Sequence, residues 1–160
     1  MTRKARTLVL ALGNDLLGDD SVGLEAARQI AEQVDGSVDV VESGEAGLAL
    51  LELLEGYERA LLIDSVVTGR YPPGTILEFS PEQFRRVIAP SPHYAGLPEV
   101  LEMARRLNLA FPKDIRILAM EVLNPYEFHI GFSSPVQEAL PRLVHRALQI
   151  LRPGDVCAGS

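Results

Sequence analysis

At 160 residues, the chain suits one compact domain with room for a sizeable core. Apolar residues make up 47% of it and charged residues 23%, as in ordinary soluble globular proteins. A formal net charge of −7 argues against nucleic acid or an anionic membrane surface as partner. A single cysteine, Cys157, leaves no disulfide framework or CxxC metal knot, and no apolar run approaches the roughly 20 residues that cross a bilayer. The start, MTRKARTLVLALGN, mimics a signal peptide only superficially. Its apolar stretch, Leu8 to Leu12, runs straight into Gly-Asn-Asp and fits a buried first strand. The expectation is a cytoplasmic enzyme or binding domain spanning 1–160, with 153–160 as a flexible tail.

The elements alternate along the chain. TLVLAL (7–12) is a continuous apolar run, the mark of a strand covered on both faces. A helix over 20–34 follows, with Val22, Ala26 and Ile30 at four-residue spacing. VDVVE (38–42) predicts a second strand, the leucine-rich 46–55 a second helix, and RALLIDSVV (59–67) a third strand, apolar until Asp64. The turn cluster TGRYPPG (68–74) leads into TILEFS (75–80). So short a connection predicts that these two strands are antiparallel neighbours. A long loop, 81–94, precedes a third helix carrying Leu97, Val100, Leu101 and Ala104, with Pro98 tolerable in its first turn. IRILAMEV (115–122) is the last strand. In the last helix Ser134 is the expected N-cap, Pro135 takes the first helical position and Gln137 completes a capping box. Val136, Leu140, Leu143, Val144, Ala147, Leu148 and Leu151 then share one face.

Strand–helix alternation with one reversed strand predicts a three-layer α/β/α sandwich around a mostly parallel five-stranded sheet. Ligands in such folds bind beyond the carboxyl ends of the strands, where strand order reverses. Three candidates fall on that edge. Asp20, beside Asp19, stands just past the first strand, where it could equally serve as a helix cap. Asp64 ends an apolar strand, where an unpaired carboxylate would be costly; the alternative role is fixing a neighbouring loop. His93, in PSPHYAGL, follows two prolines that restrict the backbone, although a loop histidine is often simply solvated. Two carboxylates and an imidazole suit a divalent transition ion with positions left open, but the spacing matches no local metal signature. A GxSxG elbow and a Walker lysine are absent. The dinucleotide fingerprint fails too, because Ala11 replaces its first glycine and Asp19 and Asp20 would repel a pyrophosphate. His129 reads as a structural loop residue and His145 as surface.

The segment Ala11-Leu12-Gly13-Asn14-Asp15-Leu16-Leu17-Gly18-Asp19-Asp20-Ser21-Val22-Gly23 resembles the motif G-x-G-N-x-L-x-x-D-[DE]-x-x-G of the [NiFe]-hydrogenase maturation endopeptidases. Leu62-Ile63-Asp64-Ser65-Val66 and Ser91-Pro92-His93-Tyr94-Ala95-Gly96-Leu97 follow in the order of that family's second and third motifs, and Phe128-His129-Ile130-Gly131 is also similar. Two positions depart: Ala11 stands for the first glycine, and Glu42-Ser43-Gly44-Glu45-Ala46-Gly47 for D-G-G-T-x-G. The resemblance implies a phosphorylase/hydrolase-like fold and removal of a C-terminal extension from the hydrogenase large-subunit precursor after nickel insertion. It implies that Asp20, Asp64 and His93 contact the nickel supplied by the substrate's active site, for which another divalent cation could substitute, and that they serve catalysis. Asn14 and Asp19 would orient Asp20 or the peptide. The expected partner is that precursor, met by a monomer, with no nucleic acid or membrane involved. Hydrolysis could be driven by the metal or by a carboxylate acting as general base. The alternative reading is a non-catalytic nickel-site checkpoint that binds the precursor without cutting it, and a third is a small-molecule hydrolase or phosphorylase on the same fold, although the acidic edge argues against phosphorylated substrates.

Overall fold

The computed structural model describes residues 7–13, 18–45, 47–81, 83, 97–123 and 132–152. In chain order these form β1 (Thr7–Leu12), a 3-10 turn (Gly18–Ser21), α1 (Val22–Ala31), β2 (Val38–Ser43) and a second 3-10 turn (Gly47–Ala49). There follow α2 (Leu50–Leu54), β3 (Arg59–Val66), β4 (Ile76–Phe79), α3 (Leu97–Arg106), β5 (Asp114–Glu121) and α4 (Ser134–Leu151). The strands make one sheet in the order β2-β1-β3-β5-β4, parallel except where β4 runs antiparallel to β5. Among the described residues no helix is long and apolar enough to cross a membrane.

Alternation along the strands divides the core. Leu8, Leu10 and Leu12 of β1 join Ala60, Leu62 and Val66 of β3 and Leu50 and Leu54 of α2 on one face, with Leu101 of α3 packed against them. Val9, Leu61 and Ile63 face the other way and meet Val22, Ala26 and Ile30 of α1 and Val136, Leu140, Leu143, Val144 and Ala147 of α4. The sheet therefore lies between an α1/α4 layer and an α2/α3 layer, as the apolar runs predict.

Two expectations are corrected. The strands at 59–67 and 75–80 are antiparallel to each other but are not neighbours, because β5 lies between them. All eight residues of β3 pair with β5, from Arg59↔Asp114 to Val66↔Glu121, whereas β4 offers only four, Ile76–Phe79. The longer apolar partner takes the central place. Residues 67–75 need only cross two strand spacings, roughly 10 Å, to reach the far side of β5.

The second correction concerns α4. Ser133, not Ser134, is its N-cap, and no side-chain capping bond forms. The hydroxyl of Ser133 instead donates to Asp19 Oδ2 at 2.8 Å, a charged and therefore stronger acceptor than the helix offers. The helices at 20–34 and 46–55 both open with a 3-10 turn and end sooner than expected, at Ala31 and Leu54. Most of the 81–94 loop lies outside the described residues.

Candidate functional site at the carboxyl edge of the sheet

β1 has β2 on one side and β3 on the other, both parallel to it, so the strand order reverses at β1. The crevice beyond the carboxyl ends of β1 and β3 is where such a fold receives a ligand. The 3-10 turn carrying Asp19 and Asp20 sits over this point, and two glycines let it do so. A Cβ on Gly13 would lie 2.3 Å from the backbone oxygen of Asp20, closer than any side chain tolerates. A Cβ on Gly23 would lie 2.9 Å from the Ile63 carbonyl oxygen and 3.1 Å from that of Leu12. The small residues of this segment thus bring the start of α1 down onto the ends of β1 and β3. Ala11, by contrast, is buried inside β1 and paired with Glu42 and Ile63. Its φ is not positive, so glycine is not needed there.

Asp64 is fully buried and lies one residue beyond the last β1–β3 pair, Ala11↔Ile63. Its Oδ1 accepts the backbone N–H of Ser65 at 2.8 Å. The Ser65 hydroxyl donates to Asp20 Oδ1, also at 2.8 Å. Both acids are therefore hydrogen bonded to one residue at the end of the central strand. Carboxylates are the hard oxygen donors that a divalent-ion ligand set uses. Among the described residues no three histidine, cysteine, aspartate or glutamate side chains converge as a complete set. His93, Asn14 and His129 lie outside the described residues.

Asp19 is buried, 2% exposed, and both its oxygens meet Ser133: Oδ1 accepts the backbone N–H and Oδ2 the hydroxyl, each at 2.8 Å. It fastens the turn that carries Asp20 to the start of α4. Glu45 is exposed, and its N–H donates to Ser43 Oγ at 3.0 Å. Glu42 pairs with Arg28 at 2.7 Å. His145 is on the exposed side of α4, as expected.

One buried acid on this edge escapes the sequence reading. Glu121, 2% exposed, ends β5 opposite Val66. Its carboxylate accepts the backbone N–H of Thr68 at 2.8 Å and the Thr68 hydroxyl, holding the loop that leaves β3. The signal was the one Asp64 gives, an acid closing an apolar strand, here in LAMEV.

The sequence model of the family described as "Hydrogenase maturation protease" matches residues 24–150. Among curated proteins, the hydrogenase 2 maturation protease of Escherichia coli (strain K12) is 30% identical, with 94% of this chain and 93% of that one covered. Among solved structures, the hydrogenase maturating endopeptidase HybD from E. coli superposes with a TM-score of 0.76 at 27% identity, covering 92% of each chain. The [NiFe] hydrogenase maturation protease HybD from Thermococcus kodakarensis gives 0.71 at 28% identity, covering 92% of this chain and 99% of that one. By a family match across most of its length, and by relatives alike in sequence and in fold, this chain belongs to the hydrogenase maturation proteases, a family of peptide hydrolases.

Proposed function

We propose that the chain removes a C-terminal extension from the large-subunit precursor of a [NiFe] hydrogenase once nickel has been inserted, and that it recognises the precursor through that nickel. Asp20, Asp64 and His93 hold the metal the substrate carries and so place the scissile bond against the carboxyl edge of the sheet. A carboxylate at that edge can take the proton of an attacking water, while the metal supplies Lewis-acid polarisation. Asp19 acts at one remove, by fixing the turn on which Asp20 stands.

The observation that carries this reading is the shared tie of Asp20 and Asp64 to Ser65, two acids distant in sequence brought to one strand end. The test is to mix purified protein with nickel-loaded and nickel-free precursor and measure the mass of the large subunit. Loss of the tail only from the loaded form is expected, and Asp20→Asn and His93→Ala should fold normally yet leave the precursor whole. Normal processing by either variant rejects the assignment. A stable complex with unchanged mass would instead identify a checkpoint protein.

A further inference from the structure

We propose that Ser65 is a positioning residue that sets the relative placement of Asp20 and Asp64 for a shared cation, an inference that rests on the functional reading above. Along β3, Ala60, Leu62 and Val66 face the α2/α3 layer, whereas Leu61 and Ile63 face the α1/α4 layer. By the same alternation Asp64 belongs to the first side and Ser65 to the second. Asp20, at the start of α1, therefore approaches the sheet edge from the face opposite to Asp64. Ser65 joins the two sides: its N–H donates to Asp64 Oδ1 and its hydroxyl to Asp20 Oδ1. It is only 7% exposed, so bulk water does not readily replace either bond.

The strand end that carries Ser65 is itself braced. The N–H of Val122 donates to the Val66 carbonyl at 2.9 Å, and Glu121 holds Thr68. The serine is thus a braced reference for the Asp20 carboxylate that it holds. Removing the hydroxyl leaves the N–H hydrogen bond to Asp64 intact and takes away one hydrogen bond from Asp20. The two halves of the tie are separable by one substitution.

The test compares wild type, Ser65→Ala and Ser65→Thr in two assays: Ni2+ binding to the isolated chain by calorimetry, and steady-state processing of nickel-loaded precursor. Loss of a hydrogen bond to a charged group corresponds to roughly tenfold in an equilibrium constant. Ser65→Ala should weaken Ni2+ binding and raise KM by about that factor, with kcat within about twofold of wild type. Threonine retains the donor and suits a strand, so it should restore both quantities. If the alanine variant fails to fold, Ser65→Gly, which also lacks the hydroxyl and adds no metal ligand, takes its place, with the same roughly tenfold losses expected.

Unchanged Ni2+ affinity and KM in the alanine variant overturn the proposal. So does a collapse of kcat at constant KM, which would put the hydroxyl into the bond-breaking step. If wild type leaves the precursor whole, the functional reading fails, and the Ni2+ titration still decides the role of Ser65. Weaker binding by the alanine variant, restored by threonine, sustains it; no binding by wild type, or equal binding by all, ends it.

Discussion

Replacing Asp19 by alanine tests how the edge is held together without reference to any substrate. The substitution removes an acceptor that takes two bonds from Ser133, one from its N–H and one from its hydroxyl, both at 2.8 Å. Hydrogen bonds to a charged group are each worth about 1.5–3 kcal/mol net. The freed hydroxyl can turn inward and cap α4 in the ordinary way, recovering about 1 kcal/mol. The expected net loss is therefore about 2–5 kcal/mol, or roughly 4–20 °C in Tm for a chain of this size. Asp19→Asn keeps an acceptor for the N–H and offers a donor to the Ser133 oxygen. It should cost only about 1 kcal/mol, mainly the loss of a negative charge at the helix N-terminus. Urea unfolding followed by far-ultraviolet ellipticity measures both variants, with equal slopes required for the comparison. A cycle with Ser133→Ala isolates the hydroxyl bond and should show coupling of about 1 kcal/mol or more. An alanine variant within about 0.5 kcal/mol of wild type, or no coupling in the cycle, would refute the clamp.

Gly13→Ala should destabilise by about 1–3 kcal/mol and slow processing, because the new methyl meets the Asp20 carbonyl oxygen at 2.3 Å; Gly36→Ala, with nothing within 4 Å, is the neutral control in the same melts. Glu121→Ala should cost about 2–3 kcal/mol by stripping Thr68 of its acceptor, with Glu121→Gln milder, both read by urea unfolding. Burial, reinforced by donation of its hydroxyl to Asp39 at 2.6 Å, pushes the Tyr57 phenol up to about 12 from an ordinary 10. A raised folded-state value means that its contribution to stability is complete below pH 10 and is lost as pH climbs towards 12. The tyrosinate absorbance difference between wild type and Tyr57→Phe should show that late titration, and a midpoint near the ordinary value would refute it.

The layers and nearly every strand and helix were legible because burial on both faces leaves uninterrupted apolar runs, as in TLVLAL and RALLIDSVV. The place of β4 was not, since a short connection reports proximity but not which strand wins the shared edge. That depended on β5 matching all of β3. The cap of α4 was misplaced by one residue for a similar reason: the choice between Ser133 and Ser134 is made by Asp19, 114 residues away. At the site, Asp20 and Asp64 stood out as acids where the chain is otherwise apolar or small. Glu121 closes its own apolar strand in the same way, whereas Ser65 gives no such signal, because its role lies in a bond to Asp20, which sequence order keeps apart from it.

The brace between Asp19 and Ser133 gives the order of synthesis a consequence. The turn bearing Asp20 leaves the ribosome early, yet its anchor arrives only with the start of the final helix. A nascent or interrupted polypeptide that ends before Ser133 lacks this anchor, so the turn is fastened late in the making of the chain.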